Sequence, residues 1–80
     1  MPTVLRIGPY RFGFFSADVG ERPHVHVRRN RSQAKFWIGP IVELEHNSGF
    51  AAHELNVVCR LIEEHRQFLL EQWHDYFNRG

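Results

Sequence analysis

His24-Val25-His26-Val27-Arg28-Arg29-Asn30-Arg31-Ser32-Gln33-Ala34-Lys35-Phe36-Trp37 is the stretch that decides the fold. Two strictly alternating runs flank Asn30-Arg31, and asparagine tolerates the positive φ that a two-residue hairpin turn requires. Pairing Arg29 with Ser32 sets Val27 opposite Ala34 and Val25 opposite Phe36, a consistent apolar face. The same register sets His26 opposite Lys35 and His24 opposite Trp37. One face is therefore core, and the other collects His24, His26, Arg28, Lys35 and Trp37. A slip of one residue would exchange the faces, so the pattern fixes the register.

Upstream, Val4-Leu5-Arg6-Ile7 and Tyr10-Arg11-Phe12-Gly13-Phe14-Phe15 flank Gly8-Pro9 and read as another hairpin, with Ile7 opposite Tyr10 and Leu5 opposite Phe12. Residues 16–23 have loop composition and no period. Downstream of Gly39-Pro40, residues 41–45 read as a short strand and residues 46–49 as turn material. From Ala51 onward Leu55, Val58, Cys59, Ile62, Leu69, Trp73, Tyr76 and Phe77 recur on one helical stripe. One helix of this length would span roughly 40 Å, too long for so small a domain, so a break is expected near Glu64-His65-Arg66. The fold class is α+β: an antiparallel sheet of four or five strands, with one or two C-terminal helices packed on one face.

Eighty residues make one domain, residues 1–80, near the lower limit for a core without staples. Seven Phe, two Trp and two Tyr supply much of the core volume. The single cysteine, Cys59, allows no internal disulfide and suits a reducing compartment. No apolar run is long enough to span a bilayer, and Met1-Pro2-Thr3 lacks the layout of a signal peptide. The expectation is a cytoplasmic protein with no membrane partner. The net charge of +1 divides unevenly, with residues 1–40 carrying an excess of basic side chains and residues 41–80 an excess of acidic ones. Either a polyanion faces the first half, or the two halves attract one another within the fold.

Met1-Pro2-Thr3-Val4-Leu5-Arg6-Ile7-Gly8-Pro9-Tyr10-Arg11-Phe12 resembles the opening of a family of short bacterial proteins of about this length whose domain has no assigned function. The resemblance continues through Pro23-His24-Val25-His26-Val27, Ala34-Lys35-Phe36-Trp37 and Gly49-Phe50, and ends in Leu70-Glu71-x-Trp73-His74-x-Tyr76-Phe77. It implies one half of a two-gene module resembling a toxin–antitoxin pair, with a small protein partner encoded nearby. It supplies no catalytic residues. Arg22 stands where a second proline is common, Ala51 where a capping serine is expected, and Gly13 interrupts an aromatic run.

Residues i and i+2 of a strand point the same way, about 6.5–7 Å apart. His24 and His26 at that spacing could straddle a phosphodiester, one accepting a proton and the other donating one. Lys35 could hold the phosphate oxygens. Arg28, Arg29 and Arg31 could bind the nucleic-acid backbone, and Trp37 could stack an unpaired base. This describes a metal-independent ribonuclease with no cofactor; the bland alternative is two solvent-facing histidines above a structural tryptophan. His-x-His is also a metal-ligand spacing, but a site needs further ligands, and none of His46, His53 and Glu54 is placed by local sequence. The metal-free reading is therefore preferred. Histidine-triad nucleotide hydrolases share the alternation, yet Arg28 stands where their third histidine would be. Val57, Leu61 and Phe68 lie off the helical stripe, which suggests a different function: a non-enzymatic, antitoxin-like or regulatory module docking through its helical half, on a partner or as a homodimer.

Overall fold

The computed structural model describes residues 2–78. Five strands run in chain order as an antiparallel meander: β1 Thr3–Ile7, β2 Tyr10–Gly13, β3 His24–Arg29, β4 Ser32–Ile38 and β5 Val42–Ser48. Two helices follow, α1 Ala52–Glu64 and α2 Arg66–Phe77. The architecture is the expected α+β sheet with C-terminal helices.

The central hairpin has the register that alternation dictates: His24 pairs with Trp37, Val25 with Phe36, His26 with Lys35, Val27 with Ala34 and Arg29 with Ser32. Asn30 turns the chain at φ 54°. In the first hairpin Ile7 pairs with Tyr10 and Leu5 with Phe12. Because cross-strand partners share a face, Phe12, Val25, Val27, Ala34 and Phe36 line one side of the sheet. Val58, Ile62, Leu69 and Trp73 of the helices join them in one buried core. The helix breaks at His65 (φ −109°, ψ 18°), whose backbone N–H and ring Nδ1 both reach the Leu61 carbonyl. The next residue is anchored to the sheet, since Arg66 Nε donates to the Gly39 carbonyl at 2.6 Å.

Two segments differ from the sequence reading, besides Phe14-Phe15, which lie past the end of β2 at Gly13. Residues 46–48 continue β5 instead of forming the turn, with His46 opposite Lys35 and Asn47 opposite Ala34. Pairing along β4 overrides the turn preference of His-Asn-Ser, and the turn moves to Gly49, at φ 102°. A Cβ on Gly49 would lie 2.9 Å from Ser32 Oγ, so the position excludes a side chain by conformation and by space. Asn47 secures the corner through its amide, accepting from the Phe50 N–H and donating to the Phe50 carbonyl. The second difference is local: the aperiodic loop contains a 3₁₀ turn, Ser16–Asp18.

Candidate functional site

Gly13 pairs with His26 at the end of β2, so this neighbouring strand puts no side chain beside the imidazole on the face away from the core. The loop that follows fills the vacancy. Its 3₁₀ turn closes when the Phe15 N–H donates to Asp18 Oδ2 at 2.9 Å, which holds the carboxylate against the start of β3. His24 Nε2 and His26 Nε2 each lie 3.0 Å from that same oxygen. Phe15 stands edge-on to His26, with ring centroids 4.5 Å apart.

The two histidines occupy different environments. His24 is fully buried, its ring packed 5.4 Å from Trp37, 5.1 Å from His26 and 4.9 Å from Trp73 of α2. Neither the paired catalytic role expected of His24 and His26 nor the bland alternative of two solvent-facing histidines suits this burial: α2 reaches the start of β3 and covers His24, so a substrate has no direct access to it. His26 keeps 21 % of its side chain exposed. The His24 Nδ1 lies 2.9 Å from the Arg22 carbonyl. A carbonyl can only accept, so Nδ1 carries the proton and, in the neutral ring, Nε2 is a bare lone pair. Although Nε2 is close to Asp18 Oδ2, it is not aligned with it as a hydrogen bond and has no other partner among the described residues.

The electrostatics follow from this packing. Burial pushes the Asp18 carboxyl up, but the Phe15 N–H and the two imidazoles pull it further down, leaving it below the ordinary 3.8. For His26 burial dominates over the attraction of Asp18, so the imidazole titrates below the ordinary 6.5.

In front of His26 lies an open cleft of about 270 Å³, lined by Phe15, His26, Gln33, Ala34, Lys35, Glu45 and His46. His26, Lys35 and His46 are consecutive cross-strand neighbours over β3, β4 and β5. The register shifts between Lys35 and Phe36, so Glu45 is an extra residue in β5. That bulge aims His46 at the cleft, a use of bulges common beside functional sites. Lys35 Nζ is bound to Glu21 Oε1 at 2.9 Å and lies 4.7 Å from the Trp37 ring centre. The Arg22 guanidinium also covers that indole, at 4.3 Å.

These placements sort the sequence candidates. His26, Lys35, Arg28 and Trp37 share the face of the cleft, with Arg28 exposed, and Arg31 is exposed at the hairpin tip. Arg29 lies on the opposite face and does not join them. Its Nε is 2.8 Å from Glu54 Oε2 and its terminal nitrogen 3.0 Å from Oε1, while the Tyr10 hydroxyl donates to the same carboxylate at 3.1 Å. A basic residue of the first half here binds an acidic one of the second, within the fold. Of the three off-stripe residues, Val57 and Phe68 are exposed, at 45 % and 39 %, whereas Leu61 packs partly buried against the core. Cys59 points at the Val42 carbonyl, and burial raises its thiol pKa, which suits an inert core residue.

Sequence reasoning missed Asp18, Glu21 and Phe15, and it read His46 as turn. A faint signal existed for Asp18, an acidic residue able to cap its own turn three residues after Phe15.

The domain-of-unknown-function family DUF4160 matches residues 10–74, which spans β2 to β5, the Asp18 loop, α1 and α2 up to His74. The chain belongs to the DUF4160 family. Among curated proteins and among solved structures nothing matches it. No helix among the described residues of this DUF4160 chain is long and apolar enough to cross a membrane.

Proposed function

We propose that this protein is the toxin-like member of a two-gene bacterial module and acts on RNA at the cleft around His26. The observation that carries the reading is the row His26–Lys35–His46 across three strands, backed at one end by Asp18 and His24. Proton-handling groups lie at both ends of a cleft with a cation between them, which is what in-line cleavage of a phosphodiester needs. The attacking 2′-hydroxyl gives up its proton at the Asp18–His24–His26 centre. Its oxygen bonds to phosphorus, the bond from phosphorus to the 5′-oxygen breaks, and His46 gives that oxygen a proton. The products are a 2′,3′-cyclic phosphate and a 5′-hydroxyl. Lys35 neutralises the phosphate, and Arg28 and Arg31 extend the positive surface along the strand.

His46 thus takes the role that alternation alone assigns to His24. Induced expression of the wild-type chain and of His46→Ala, following growth and the integrity of total RNA, tests the assignment. Loss of the general acid should slow cleavage by about 10²–10⁴-fold with unfolding unchanged, because His46 is exposed. Equal RNA cleavage by the two chains would refute it.

The non-enzymatic reading keeps one specific support, the exposed Val57 and Phe68 on the helical half. On that reading the chain is the neutralising or regulatory partner, and substitutions at His26 and His46 leave its activity intact.

A further inference from the structure

We infer that Asp18, His24 and His26 bind a first-row divalent metal ion of the zinc type. The three side chains offer one ligand atom each, and these atoms lie within 4.8 Å of one another. The two distances to Asp18 Oδ2 are 3.0 Å each. Ligands held about 2.0–2.1 Å from an ion are separated by about 2.9–3.4 Å at right-angled to tetrahedral geometry. Both histidine–carboxylate spacings already match that range, and the two imidazole nitrogens lie within 4.8 Å of one another.

A second observation points to an ion independently of the clustering. His24 is fully buried, yet its Nε2 has no hydrogen-bond partner among the described residues. Its Nδ1–H is committed to the Arg22 carbonyl, so a bare lone pair faces a carboxylate oxygen 3.0 Å away. Two acceptors at that distance repel unless a positive particle lies between them. A metal ion satisfies both, and metal-bound imidazole usually donates Nδ1–H to a carbonyl or carboxylate while Nε2 holds the ion. The competing particle is a proton, which would make His24 a fully buried imidazolium paired with Asp18.

Two imidazoles and one carboxylate favour Zn²⁺, Co²⁺ or Fe²⁺ over Mg²⁺ or Ca²⁺, which prefer all-oxygen shells. Three protein ligands leave coordination positions for water or substrate, and of the three side chains His26 is the most exposed. An ion there lowers the pKa of the water it holds, and the resulting hydroxide accepts the 2′-hydroxyl proton. That use rests on the reading of the cleft as an RNA-cleaving site; the binding of the ion does not.

The test is calorimetric titration of the chelator-stripped full chain with Zn²⁺, together with Co²⁺ titration followed by visible absorption. One equivalent of Zn²⁺ should bind, and the Co²⁺ complex should show the intense bands of low coordination. His26→Ala and Asp18→Asn should each weaken binding by about 100-fold or more, with folding verified by circular dichroism. His74→Ala, on the exposed side of α2, should bind as the wild type does. The absence of saturable binding, or equal binding by wild type, His26→Ala and Asp18→Asn, would overturn the inference. Stoichiometric Zn²⁺ binding without RNA cleavage would refute the RNA reading and leave the metal site standing. Full cleavage by a chain that binds no metal would do the opposite.

Discussion

Lys35 Nζ lies 2.9 Å from Glu21 Oε1, so the cation at the centre of the cleft is held by a carboxylate from the loop that also supplies Asp18. The lysine in turn holds the Glu21 carboxyl below its ordinary 4.5. A phosphate entering the cleft competes with Glu21 for the same ammonium. Glu21→Gln removes the competing charge and should tighten RNA binding by about 2–10-fold at low salt. The gain should vanish at high salt. Fluorescence anisotropy with a short single-stranded RNA measures both limits, and unchanged or weaker binding would remove Lys35 from the phosphate site.

The arginines of the central hairpin divide by face. Arg28 and Arg31 are exposed, whereas Arg29 is tied to Glu54. Replacing Arg28 and Arg31 together with alanine should reduce the slope of log affinity against log salt by about 1–2, as expected for two phosphate contacts. Arg29→Ala should leave the slope alone and lower the unfolding temperature, because Glu54 loses its guanidinium and keeps only the Tyr10 hydroxyl of the two groups bound to it. A salt slope sensitive to Arg29 would place the binding surface on the other side of the sheet.

Glu54 gives the fold a defined acid limb. The Arg29 guanidinium is the largest cause holding its carboxyl below the ordinary 4.5, followed by opposing desolvation and then the Tyr10 hydroxyl. A depressed carboxylate contributes stability that is fully present above its unfolded pKa and is lost as pH falls through the lower folded value. Unfolding temperature should therefore decline below pH 4.5. In Glu54→Gln that decline should be shallower, while the variant is less stable than wild type at pH 7. Thermal scans by circular dichroism from about pH 7 down to about pH 2.5 check both signs. Parallel curves would assign the acid limb to other carboxylates.

The helical half offers a narrower docking face than the sequence suggests, since Leu61 packs partly against the core. Leu61→Lys should cost roughly 1–3 kcal/mol of stability. Val57→Lys and Phe68→Lys should leave unfolding nearly unchanged and abolish any self-association. Light scattering alongside thermal unfolding separates the two effects. A wild-type chain monomeric at every concentration, with no protein partner co-purifying, would defeat the docking idea.

Local chemistry determined most of the frame. The alternation of residues 24–29 and 32–37, with Asn30 able to turn at positive φ, fixed the central register and the membership of its two faces. The helical period fixed the buried stripe, and the length limit of a small domain placed the break beside His65. These are decided within a few residues, where period and turn geometry act.

Tertiary structure alone decided which members of a face meet, and what covers them. Alternation puts His24 and His26 on one side, but only Trp73, 49 positions further along the chain, makes one of them buried. Asp18 comes from a stretch without any period, and its approach depends on the space beside Gly13 where β2 ends. His46 reaches the cleft through a bulge that no pattern in residues 42–48 announces. Arg29 finds Glu54 across the sheet–helix junction, 25 residues away. Periodicity records the direction in which a side chain leaves its own element. It carries no information about which distant chain arrives to meet it, and the chemistry of this site arises from those arrivals.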